Sequence, residues 1–171
     1  MYKRQYFWRV RANDSNGYSS WSEKWNFTIL SVSIITVNGT ANFGGMVLGE
    51  VDDTIDNNPC PLTVENNGNV VVNVSVYAQD SLWVMQPLNT SYFQFRAGNY
   101  TAENNSFLWE KSVTSWTDMP GISSEQAVMT FAYLNFSDSN DMAELDIRVQ
   151  VPTDESAGPK SSTVVFEAKQ S

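Results

Sequence analysis

The chain has 171 residues, a net charge of −9, an isoelectric point near 4.3, 13% aromatic residues, one cysteine and no histidine. Ten scattered Lys and Arg build no basic patch for nucleic acid or an anionic membrane, and so many aromatics exclude a disordered tail. Without imidazole there is no Ser-His-Asp or Cys-His nucleophile and no ordinary zinc site, and no run of about 18 apolar residues suggests a membrane span.

The first readable element runs from Tyr6 to Ala12, where apolar and polar residues alternate. A Gly- and Ser-containing loop, residues 13–22, follows. A second alternating run then sets Trp25, Phe27 and Ile29 on one face and Asn26 and Thr28 on the other. The pattern predicts a β-hairpin whose Trp8 and Trp25 point inward as core residues. Two strands alone are marginal in water, so the hairpin is expected to be the remnant of a larger domain.

Ser31 to Val37 is expected to open a second domain as a strand, with a turn at Asn38-Gly39-Thr40. A short strand through Asn42-Phe43 and Met46-Val47 would be bent by Gly44-Gly45. Gly49 to Pro61 is acidic and rich in turn residues and reads as a loop. It contains Cys60 between two prolines, which predicts a semi-buried thiol with no cationic neighbour to activate it. Leu62–Glu65 reads as a strand ending at the turn Asn66-Asn67-Gly68-Asn69. Val70–Tyr77 follows, with Val72, Val74 and Val76 on one face. Further strands are expected at 92–95, 128–134, 144–151 and 163–168, with a polar loop over 98–106 and a short irregular hairpin between Trp109 and Trp116. Only Ser123–Met129 carries any helical period, and it reads better as a loop entering a strand. Eight or so short strands separated by turns predict an all-β antiparallel sandwich.

The segment Tyr6–Ile29 resembles the last two strands of a fibronectin type III domain, with Tyr6 at the position of that family's corner tyrosine. The resemblance implies a truncated domain and hence a longer parent protein. The run Met1-Tyr2-Lys3-Arg4-Gln5 resembles the translation of a transposase adapter used in sequencing libraries, so residues 1–5 are left out of the expected fold. Residues 31–171 are similar to β-sandwich modules of archaeal envelope and S-layer-like proteins. The similarity rests on Phe43-Gly44-Gly45, on the Val64–Asn69 turn before a Val-rich strand, on Ser81-Leu82-Trp83, on the strand from Leu145 to Pro152, and on the closing segment Gly158–Phe166. It implies an immunoglobulin-like sandwich and says little about function.

The most specific chemical signal is the Asn-x-Ser/Thr sequon. It occurs at Asn13, Asn26, Asn38, Asn73, Asn89, Asn99, Asn104 and Asn135, where chance predicts roughly 3. Asn26 and Asn73 fall on outward strand faces, Asn13, Asn38, Asn99 and Asn104 in turns or loops, and none of the eight on an expected core position, as a bulky glycan requires. Asp52, Asp53 and Asp56 in one acidic loop and Asp138 and Asp141 in another could offer oxygens to Ca²⁺, but neither loop follows the EF-hand pattern, and both read better as solvated acidic loops with no metal. Trp83, Trp109 and Trp116 lie near strand ends and are candidate platforms for stacking on sugars.

These features together point to a non-catalytic piece of an extracellular multidomain protein with a structural or adhesive role at a cell surface. Its expected partners are other surface proteins, glycans and upstream domains of its own chain, and it needs no cofactor. The alternatives are a carbohydrate-binding module that serves a secreted hydrolase and a filament subunit that exchanges strands through an open sheet edge.

Overall fold

The structure is a computed structural model that describes residues 3–121 and 123–171. The chain divides into two compact units, Met1–Val32 and Ser33–Ser171.

In the first unit, β1 (Lys3–Trp8) pairs antiparallel with β4 (Trp25–Leu30). Tyr6 lies opposite Phe27 and Trp8 opposite Trp25, and both pairs are in ring contact with centroids 5.3 Å apart. The strand begins at Lys3, so residues 3–5 belong to the ladder, opposite Leu30, Ile29 and Thr28. Two short strands, β2 (Asn13–Asp14) and β3 (Gly17–Tyr18), form a smaller hairpin inside the loop. Arg11 lies over the rings of Tyr18 and Trp21, and Arg9 also lies over Trp21. The expected core position of Trp8 and Trp25 does not hold: they are 47% and 58% exposed. One pair of strands has no opposing layer, so alternation selects a face but cannot bury it.

The second unit is all-β and antiparallel. One sheet runs β10 (Thr117–Asp118), β9 (Phe93–Asn99), β12 (Met142–Gln150), β7 (Leu62–Glu65) and β5 (Thr36–Asn38), with β6 (Val51–Asp53) also on β12. The other sheet runs β11 (Val128–Leu134), β8 (Val72–Ala78) and β13 (Val164–Gln170). The core lies between the sheets. Val72, Val74, Val76 and Ala78 of β8 meet Phe93, Phe95 and Ala97 of β9 and Ala143, Leu145, Ile147 and Val149 of β12 in one buried cluster. Strict alternation in β8 explains this, because one face of the strand is wholly apolar and the other carries Asn73, Ser75 and Tyr77.

Several expected boundaries move. The opening strand shrinks to Thr36–Asn38, and the predicted strand around Gly44-Gly45 is a bend, with Gly44 at φ +65°. The acidic loop contains β6, which the sequence hides behind turn residues. Strand β9 continues to Asn99, into the predicted polar loop, because β12 supplies a partner for every residue of it. Trp109–Lys111 and Ser124–Gln126 are single 3₁₀ turns, and β10 pairs with β9 instead of closing a hairpin between the tryptophans. Strand β11 shifts register twice and holds Tyr133 at φ +57°, so Thr130, Phe131 and Ala132 are buried in succession. Cys60 is exposed, not semi-buried.

Candidate functional site

The eight sequon asparagines all reach the surface. Asn13, Asn26, Asn38, Asn89, Asn99 and Asn104 are exposed, and Asn73 and Asn135 are half-buried. Asn26 accepts from Gln5 Nε2 at 3.2 Å. The Asn73 Oδ1 accepts from the Tyr133 amide at 2.9 Å and the Asn135 Oδ1 from the Phe136 amide at 2.8 Å. In each case the carbonyl oxygen is the atom engaged, and the amide nitrogen that would carry a sugar is not used in that bond. Asn104 differs through its third sequon residue. Ser106 is 1% exposed, and its hydroxyl has no hydrogen-bond partner among the described residues.

The three candidate tryptophans do not form one platform. Trp83 is buried, with its indole N–H donating to the Tyr92 carbonyl at 2.9 Å. It is a core residue, which removes it as a sugar platform. Trp116 is half-buried, and the guanidinium groups of Arg148 and Arg96 lie 4.2 Å and 5.0 Å from its ring centre. Trp109 is 47% exposed and stacks on Phe107, which meets Phe131 edge-on. It alone offers a ring to solvent.

The proposed Ca²⁺ ligands are engaged locally or scattered. The Asp52 side chain accepts from the Asp53 amide, Asp53 from the Ile55 amide and Asp56 from the Asn58 amide, so these carboxylates cap the turns of their own loop. The Asp53 Oδ2 also pairs with Arg148 at 3.0 Å. Asp138 and Asp141 share a shallow recess with Glu65 and Glu103. Burial and the negative charges of Glu103, Glu65 and Asp138 push the Asp141 carboxyl up. Among the described residues, no three acidic or thiol groups stand where they could hold a metal ion together.

Two charged clusters were not visible in the sequence. Asp146 lies on the face of β12 away from the core yet is only 5% exposed. Its carboxylate accepts from Arg96 Nε at 2.9 Å and from the Thr54 hydroxyl at 3.2 Å. Arg96 and Arg148 bring this ion pair and the Asp53 pair together beside Trp116. The only trace in the sequence is an acid in the middle of an otherwise regular strand. The second cluster closes the loop after β12. Glu155 is buried and pairs with Lys160, and it accepts from the amides of Met85 at 3.0 Å and Ser156 at 3.2 Å.

The Lys160 contact and the Met85 amide hold the Glu155 carboxyl down, from an ordinary 4.5 to about 2. A carboxyl with a depressed pKa contributes stability above its unfolded value and loses it as pH falls toward its folded value. Wild type is therefore expected to melt above Glu155→Gln at pH 6, with the gap closing between pH 4.5 and 2. Melting curves of both proteins across that range measure it, and a gap unchanged at pH 2.5 would mean that the ionised pair does not hold this loop.

Among the described residues, no helix is long and apolar enough to cross a membrane. In comparison with known proteins, the chain matches no family model and no curated protein sequence.

Proposed function

We propose that this chain is a structural, non-catalytic module of a multidomain protein at the cell surface. The observation that carries the reading is the exposure of its glycan acceptors: eight sequons, two on the hairpin and six on the sandwich, with no acceptor asparagine in the core. An interior free of histidine and organised around valine and phenylalanine supports a load-bearing role more than a reactive one.

We read the second unit as immunoglobulin-like. The order β5-β7-β12-β9 follows the A-B-E-D sheet of that fold, and β8 and β13 take the places of C and F. Strand β11 then stands on the outer side of C, and no described strand takes the place of G beside β13.

Expression in a host that N-glycosylates secreted proteins tests the surface reading. The intact mass is expected to show several glycans, and enzymatic removal should leave Asp at the occupied sites. Asn104 is expected to be modified only while the chain is unfolded, because Ser106 is buried in the folded unit. A single unmodified mass from the secreted protein would overturn the proposal.

A further inference from the structure

The two sheets of the second unit are unequal, and the core is open where the smaller one ends. Strand β13 pairs with β8 on one side and with no described strand on the other. Beside that free edge runs a groove of about 1210 Å³ whose walls include Phe43, Met46, Leu62, Val149, Val164 and Phe166. Val164, Phe166 and Ala168 pack on the core but are only partly buried, whereas Val74, Val76 and Ala78 of the neighbouring β8 are fully covered.

The backbone parity of β13 shows what would cover it. The Gln79 amide donates to the Thr163 carbonyl and the Ser171 amide to the Val71 carbonyl. With Val165 opposite Tyr77 and Lys169 opposite Asn73, residues 165, 167 and 169 bond to β8. The N–H and C=O groups of 164, 166, 168 and 170 therefore face outward. The same strand thus presents an unpaired ladder and, beneath it, an apolar trough. An added strand with apolar side chains at alternate positions satisfies both at once.

The groove also sets the charge of its occupant. Its only charged walls, Glu155 and Lys160, are paired with each other, so a charged segment would be desolvated there without a partner. Strand β4, Trp-Asn-Phe-Thr-Ile-Leu, has no charge, pairs along one edge with β1, and exposes Trp25, Phe27 and Ile29 by 58%, 52% and 44%. We propose that β13 accepts β4 of a second copy of this chain as an added strand, with Trp25, Phe27 and Ile29 seated in the groove.

Covering the half-exposed Tyr6, Trp8, Trp25 and Phe27 removes roughly 400 Å² of donor surface, at about 150–250 Å² per aromatic ring. With a similar area on the acceptor the side chains contribute roughly 800 Å² in total, which is the size of a weak, transient contact, and association no tighter than tens to hundreds of micromolar is expected. Donor and acceptor are different surfaces, so the contact is head-to-tail and propagates into open chains unless its rotation closes a ring. This goes beyond the surface-module reading, and the two fail separately: an unglycosylated protein that associates in this way leaves the inference standing.

The test is sedimentation of the full chain between about 5 and 300 µM, the range in which an interface of this size titrates. Ala168→Pro removes an outward N–H from an edge strand and leaves the β8 ladder intact. Val47→Glu puts a carboxylate on the groove wall at a position 71% exposed, where folding does not depend on it. Phe27→Asp spoils the donor. Wild type is expected to grow with concentration, and each variant is expected to associate at least about tenfold more weakly. Phe27→Asp mixed with Ala168→Pro, which retain one intact surface each, should stop at 1:1 dimers. Circular dichroism and melting check that each variant is folded, and Val47→Glu decides the matter if Ala168→Pro is not. A wild type that stays monomeric, or association that survives Val47→Glu, overturns the proposal. So does association lost with the acceptor variants but kept by Phe27→Asp, which would give the edge to another strand.

Discussion

Replacing Phe131 by alanine is expected to lower the unfolding free energy by about 3–5 kcal/mol. Phe131 has no exposed surface and lies opposite Val74 in the β11–β8 pair. Its ring meets Phe107 edge-on, at 5.4 Å between centres and an interplanar angle of 81°. Truncation removes the largest fully buried side chain of the three-stranded sheet, and the close-packed neighbours close such a void only in part. For a domain whose total stability is about 5–15 kcal/mol, that is a large part of the whole. The effect reaches the surface as well. Phe107 is stacked on Trp109 at 5.8 Å, so the exposed tryptophan of the second unit is held by this core residue. Met129→Ala serves as the control in the same strand, because Met129 is 42% exposed and should cost under about 1 kcal/mol. Urea unfolding of the three proteins measures both values, and a Phe131→Ala loss no larger than the control would mean that the sheets do not close on this ring.

The second large effect is at Asn66, where alanine is expected to cost about 2–4 kcal/mol. Asn66 is fully buried. Its amide nitrogen donates to the carbonyls of Val70 at 2.9 Å and Leu134 at 3.1 Å, and its carbonyl accepts from the Gly68 amide at 3.1 Å. One side chain thus shapes the turn that carries the chain from β7 in one sheet to β8 in the other, and ties that turn to the end of β11. Alanine takes the Asn66 donor from the half-buried Val70 carbonyl and the buried Leu134 carbonyl, and the loss of each such partner is what makes the cost high. Asn66→Asp is expected to be no better, because it puts a second oxygen against those carbonyls. Asn67→Ala, at the exposed neighbour, should change stability by less than about 1 kcal/mol. Thermal melts of the three variants check the order, and an Asn66→Ala protein as stable as Asn67→Ala would remove the side chain from this role.

Asn66 also shows how far sequence reasoning reaches. The run Asn66-Asn67-Gly68-Asn69 announces a turn from composition alone, because short amide side chains bond to nearby backbone. That the same side chain crosses to Leu134 was not legible, since 68 residues separate the partners and nothing local marks them. Asp146 behaves in the same way. Alternation places it on the outward face of β12, correctly, but Arg96 and Thr54 cover it from two other segments. Trp8 and Trp25 err in the opposite direction: their spacing defines an apolar face, and the first unit has no second layer to bury it. Trp83 and Trp109 look alike in sequence, but the Tyr92 carbonyl draws one inward while the 3₁₀ turn carries the other out.

Local chemistry by itself determined that residues 33–171 are extended, antiparallel and layered, because a period of two repeated in β8, β9, β12 and β13 allows one buried face per strand. It also determined that most of the sequon asparagines stay at the surface, since they sit in turns or on the polar side of such a period; Asn99 instead ends β9 on the parity of Phe95 and Ala97 and is exposed because the strand stops there. Only the tertiary structure decided which strands are neighbours, which sheet ends first and where the apolar trough is left uncovered. Those outcomes depend on pairing between segments far apart in the chain, and alternation is blind to them: it says which way a residue faces, not what stands opposite.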